Sequence, residues 1–193
     1  EQGLYWLKKA AEQGDHNALM NLAIILTEGS YGIKSDPMLG LKMFELYINA
    51  SKLSDIEKAT FLMDKSVEIY KADDTFLPQA MNAALNAYSL GVDYAPSVIF
   101  KLVLVNPPTN PKLKEVLDNS RNPFIVAAKG HAITNGLAGF TQDKNKGQEI
   151  IHAEAALNRQ PSIDYVNFFN CAKKCETHDE IGIKCFSLSK FMM

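Results

Sequence analysis

The sequence predicts an all-α protein, an α/α solenoid of stacked antiparallel helix pairs, on three observations. A segment recurs at constant spacing, apolar residues return every three to four positions on both sides of it, and glycine and aspartate stand where helices should end and begin. Residues 26–40 and 133–147 share one ungapped template at an offset of 107 residues. It reads apolar, Thr, Glu or Asn, Gly, two residues, Gly, large apolar, two residues, Asp, three residues, Gly. Agreement at three glycines, a threonine and an aspartate is more than chance supplies.

Each element follows from local chemistry. Ala18, Leu22, Ala23 and Leu26 form a helical stripe before the first glycine, and Leu39, Met43, Phe44, Tyr47 and Ile48 form another after Asp36. Gly29 and Gly136 fit helix C-termini, where a left-handed backbone costs glycine nothing. Asp36 and its counterpart Asp143 fit N-caps, with Pro37 at the first helical position in the first copy. Gly32 and Gly139 mark a tight turn that a bulky side chain is expected to obstruct.

The offset divides into three units of about 36 residues, the size of a helix pair. The middle accordingly predicts helices near 55–71, 78–90, 95–105 and 111–118, broken at Asp73-Asp74 and at the proline-rich stretch 106–111, with inner and outer helices alternating. The β-branched run from Val98 to Val105 also reads as a short strand. Residues 162–176 and 181–193 are expected to form a terminal pair that covers the last apolar face.

Composition narrows the function classes. Twenty basic against 22 acidic residues give a net charge of −2, which is no footprint for nucleic acid. Apolar residues at 47% supply a core, and no apolar run approaches the roughly 18 to 20 residues of a membrane helix. The first residue is Glu1 rather than Met, which reads as trimming or processing and leaves the compartment open.

The run Tyr5-Trp6-Leu7-Lys8-Lys9-Ala10-Ala11-Glu12-Gln13-Gly14-Asp15, followed by Ala18, Leu22, Gly29, Gly32, Ile33 and Asp36, resembles the Sel1-like repeat, a relative of the tetratricopeptide repeat. The likeness is strong over 4–52 and good over 126–157. Ala23 departs from it where the pattern usually has glycine, and Leu26 and Ile133 where it often has tyrosine. The resemblance implies one helical-repeat domain over 1–193, with clear units about 4–52 and 122–158, degenerate units over 53–121 and capping helices over 159–193. It also implies a non-catalytic bacterial adaptor, in the periplasm or secreted, that holds another protein and needs no cofactor. An immunity protein that blocks a secreted toxin enzyme is the alternative.

In such a solenoid the concave face is the default binding surface. If Ala18, Leu22, Ala23 and Leu26 are used in packing, Asn17, Met20, Ile24 and Thr27 line the groove, and Phe124, Ala127, His131 and Thr134 follow at the repeat offset. A peptide or helix of a partner protein suits this mixed surface. The competing reading buries Met20, Ile24 and Phe124 against neighbouring helices.

Other chemistry is sparse. Cys171, Cys175, His178 and Cys185 have the composition of a zinc shell but not the knuckle spacing. A disulfide from Cys171 or Cys175 to Cys185 would staple the terminal pair, and ordinary buried thiols are the plainest reading. His16, His131, His152 and His178 are scattered, and no nucleophile elbow, phosphate loop or zinc-protease motif is present in the sequence. Asn49-Ala50-Ser51 matches a glycosylation sequon inside a predicted helix.

Overall fold

The computed structural model describes residues 2–105, 107, 109–159, 162, 163 and 166. Among these the protein is all-helical, with nine α-helices and no strand. The chain divides into two compact units, Glu1–Val92 and Asp93–Met193. The predicted terminal pair and the three cysteines lie outside the described residues, apart from positions 162, 163 and 166.

The first unit contains α1 (Gln2–Glu12), α2 (His16–Glu28), α3 (Pro37–Ala50), α4 (Asp55–Ala72) and α5 (Leu77–Ser89), with one 3-10 turn, Asp74–Phe76, between the last two. Leu4, Leu7, Ala10 and Ala11 recur on one face of α1 and pack on Ala18, Leu19, Leu22 and Leu26 of α2. Helix α1 stops at Gly14, whose φ of +81° is left-handed, and Asp15 starts α2 by accepting from the Ala18 N–H at 2.7 Å. Ser54 and Glu57 open α4 with a reciprocal capping box: Glu57 Oε2 accepts from the Ser54 N–H at 2.8 Å, and Ser54 Oγ from the Glu57 N–H at 3.3 Å. The Ser54 N–H and the Ser54 hydroxyl, which donates to the same Oε2 at 2.7 Å, hold the Glu57 carboxyl below its usual range. A chain of ring contacts, His16 to Tyr47 at 5.6 Å, Tyr47 to Phe61 at 5.8 Å and Phe61 to Phe44 at 5.5 Å, ties α2, α3 and α4 together. Met63 and Met81 are fully buried in α4 and α5.

The second unit contains α6 (Ala95–Leu104), α7 (Pro111–Asn119), α8 (Pro123–Asn135) and α9 (Lys144–Ala156). The β-branched run from Val98 is helix, because Ile99, Phe100, Leu102 and Val103 bury a continuous stripe that overrides strand propensity. Ile99, Val103, Leu113, Leu117, Ile125 and Ile151 form its fully buried interior. Here the expected alternation of pairs changes. Helix α6 packs chiefly on α8 rather than on α7, the next helix in the chain, and α7 is only 9 residues long.

The two segments that share the sequence template have matching turn geometry. Helices α1, α2 and α3 recur as α7, α8 and α9 at the sequence offset, with α2 and α8 both 13 residues long. Gly29 and Gly136 close the two helices with φ/ψ of 72°/41° and 69°/38°. Tyr31 and Ala138 then take φ of 55° and 52°, and Gly32 and Gly139 take 76° and 82°. The N–H of Asp36 returns to the Leu26 carbonyl at 2.7 Å and that of Asp143 to the Ile133 carbonyl at 2.8 Å. Each aspartate then caps the following helix, at the N–H of Leu39 (3.0 Å) and of Lys146 (2.9 Å). A Cβ placed on Gly32 would meet open space, and one on Gly139 only ordinary contacts with Lys114 and Thr109. These glycines are therefore required by their left-handed backbone, and the expected steric obstruction is corrected.

Candidate functional site

The α2 positions expected to line a groove divide by burial. Asn17 is exposed, and Met20 and Ile24 are half-buried. Thr27 belongs to the helix pair instead. Its hydroxyl donates to the carbonyls of Ala23 (3.1 Å) and Ile24 (2.9 Å), and its methyl lies against Gly40 on α3. A short residue at position 40 lets the threonine turn approach the facing helix, which explains the last glycine of the repeated template.

On α8 the same offsets give a packing surface. Ala127 and Thr134 are buried, so they are interior and not groove. Thr134 repeats the role of Thr27, donating to the Gly130 carbonyl at 2.8 Å while it fills the space above Gly147. Phe124 meets Phe100 of α6 edge-on at 6.2 Å. His131 is half-buried beside Asn135, and burial pushes its imidazole down to about 4. Of the eight positions, Asn17 is exposed, Met20, Ile24, Thr27, Phe124 and His131 are partly exposed, and Ala127 and Thr134 are buried.

The first unit also carries a recess that no periodic pattern announces. Its volume is about 450 Å³, enclosed by Met38 and Leu41 of α3, Leu62 of α4 and Ala83 of α5, with Lys42, Glu45, Ser66 and Asn82 adding polar atoms. Gln79 lines it too, and its Oε1 is buried without a hydrogen-bond donor. Three successive helices meet here. The recess offers apolar contact and several polar atoms, the buried Gln79 Oε1 among them.

Charge in the second unit serves structure. Asp118 sits between Lys114 (2.7 Å) and Lys129 (3.0 Å), which hold its carboxyl below the usual range and tie α7 to α8. The same Lys114 lies 4.4 Å above the Phe140 ring and so fastens α7 to the repeated turn. Among the described residues no cluster of three His, Cys, Asp or Glu is arranged to hold a metal, and no helix is long and apolar enough to cross a membrane. Cys171, Cys175, His178 and Cys185 lie outside the described residues.

No family model, no curated protein and no solved structure matches the chain.

Proposed function

We propose that the chain is a non-catalytic scaffold of the Sel1-like solenoid type, which holds another protein on the outward face of α2. The observation that carries this reading is the division of that helix. Ala18, Leu19, Leu22, Ala23 and Leu26 are buried, while Met20 and Ile24 remain half-covered beside exposed Asn17. An apolar pair next to an amide, on a helix fixed by α1 and α3, suits a helix or peptide of a partner better than it suits solvent. The matched turn geometry of the two copies further supports a repeat protein whose units differ in surface and agree in frame.

The test is affinity capture from the native organism with the full chain and with Met20→Glu. The expected result is a partner retained by the parent and lost by the variant, with helical content and melting temperature close to those of the parent. Capture of the same proteins by both, or of none by either, refutes this assignment.

A further inference from the structure

The recess of the first unit has the size and the chemistry of a small-molecule site. One face each of α3, α4 and α5 converges on a space of about 450 Å³, within the range that takes a small organic ligand. Its apolar wall is aliphatic, from Met38, Leu41, Leu62 and Ala83, and among the described residues no aromatic ring lines it. Lys42 and Glu45 add one charge of each sign, so the lining carries no net charge. Gln79 sets the polar requirement. Its Oε1 is buried and meets no donor among the described residues. A buried acceptor has given up its bonds to water and is normally paired within the fold, so an unpaired one facing a recess marks where a ligand donor fits.

We infer that this recess binds a small neutral molecule in which a primary carboxamide is joined to an aliphatic chain. The chain covers Met38, Leu41, Leu62 and Ala83, and an amide N–H of the ligand donates to Gln79 Oε1. A primary carboxamide also offers a carbonyl oxygen, which accepts from the NH2 group of the same glutamine, so the two amides pair by reciprocal hydrogen bonds. A carboxylate in that place has no proton to give Oε1 and sets two acceptors against each other. A planar aromatic body finds no ring to stack on. The site belongs to α3, α4 and α5, and it is independent of the α2 face on which the scaffold reading rests.

The experiment titrates the full chain with octanamide, with heptyl methyl ketone, in which a methyl group replaces the amide NH2, and with octanoate, followed by N–H correlation NMR. Octanamide should shift the backbone signals of Ser66 and Ala83 and should bind about fivefold to tenfold more tightly than the ketone. Octanoate should bind more weakly than octanamide. Gln79→Leu should remove the advantage of the amide over the ketone while both chains still bind. Ala83→Phe, which fills the recess, should abolish the shifts with all three. The ranking on the parent protein decides even where a variant fails to fold. Equal affinity of octanamide and the ketone would mean that water satisfies Oε1, and it overturns the inference. Octanoate binding as tightly as octanamide, shifts confined to residues outside the recess, no binding of any probe, or an amide preference that survives Gln79→Leu overturns it too.

Discussion

The two copies of the helix-turn-helix unit have the same backbone and different distances between their helices. In the first, Ala23 and Phe44 stand where the second has Gly130 and Ile151, and all four are buried. Without a Cβ at 130, Ile151 Cγ1 comes within 2.5 Å of where that atom would be, and α8 and α9 approach closely. A Cβ built on Gly147 would lie 2.6 Å from both the Gly130 carbonyl oxygen and the Thr134 nitrogen, against 3.1 and 3.2 Å for the equivalent atoms at Gly40. Turn conformation is thus set by backbone sign and capping, and helix separation is set independently by the residue that faces the neighbour.

The largest test of this difference is Gly147→Ala compared with Gly40→Ala. The first drives a methyl group into backbone that cannot rotate away and should cost about 3 kcal/mol, whereas the second should cost about 1–2 kcal/mol. Urea unfolding of the two variants gives the ranking, and an equal or reversed order would show that the spacing of the copies does not control it.

The copies should also separate by pH, because His131 of the second stands where the first has Ile24. The unfolded imidazole takes its proton near 6.5, while burial keeps the folded one neutral down to about 4. The unfolded state therefore binds more protons below 6.5. Stability should fall by about 2–3 kcal/mol as pH drops through that window and level off beneath it. Hydrogen exchange should report the loss in α8, and His131→Gln should flatten it. A profile with the same slope in parent and variant removes His131 as the cause.

Two smaller effects complete the series. Ala23→Gly imitates the second copy without its facing isoleucine and should cost about 1–2 kcal/mol, from helix propensity and the lost contacts of a buried methyl. Tyr31→Gly should raise the melting point slightly, by relief of about 0.5–1 kcal/mol, since φ at this exposed tyrosine is 55°. A destabilised Tyr31→Gly would mean that the tyrosine makes contacts which outweigh its backbone strain.

Much of this architecture was legible in the residues. Periodicity and proline placement located α4 to α7 within one or two positions, and the glycine-aspartate template located both repeated turns. What it missed has physical reasons. A stripe of period 3.6 identifies a face but not the neighbour that covers it, so Ala127 and Thr134 resembled surface as readily as interior. A threonine pointing at a glycine 13 residues away is invisible until the helices are paired. Tyr31 and Ala138 carry no mark of a left-handed backbone, because their neighbours impose it. The recess at Gln79 depends on three helices meeting, which no local pattern encodes.

The left-handed C-cap of α8 has one further consequence, for chemical ageing. Asn135 precedes Gly136, the dipeptide in which a main-chain nitrogen most readily attacks the side-chain amide to form a succinimide. Here that nitrogen is engaged with the Ala132 carbonyl, and the Asn135 amide donates to the carbonyl of His131 at 2.9 Å. Deamidation at this site should therefore be slow while α8 is intact and accelerate whenever its last turn opens. The accumulated isoaspartate would then record how long the second unit has spent unwound, whereas the first, with Glu28 before Gly29, keeps no such record.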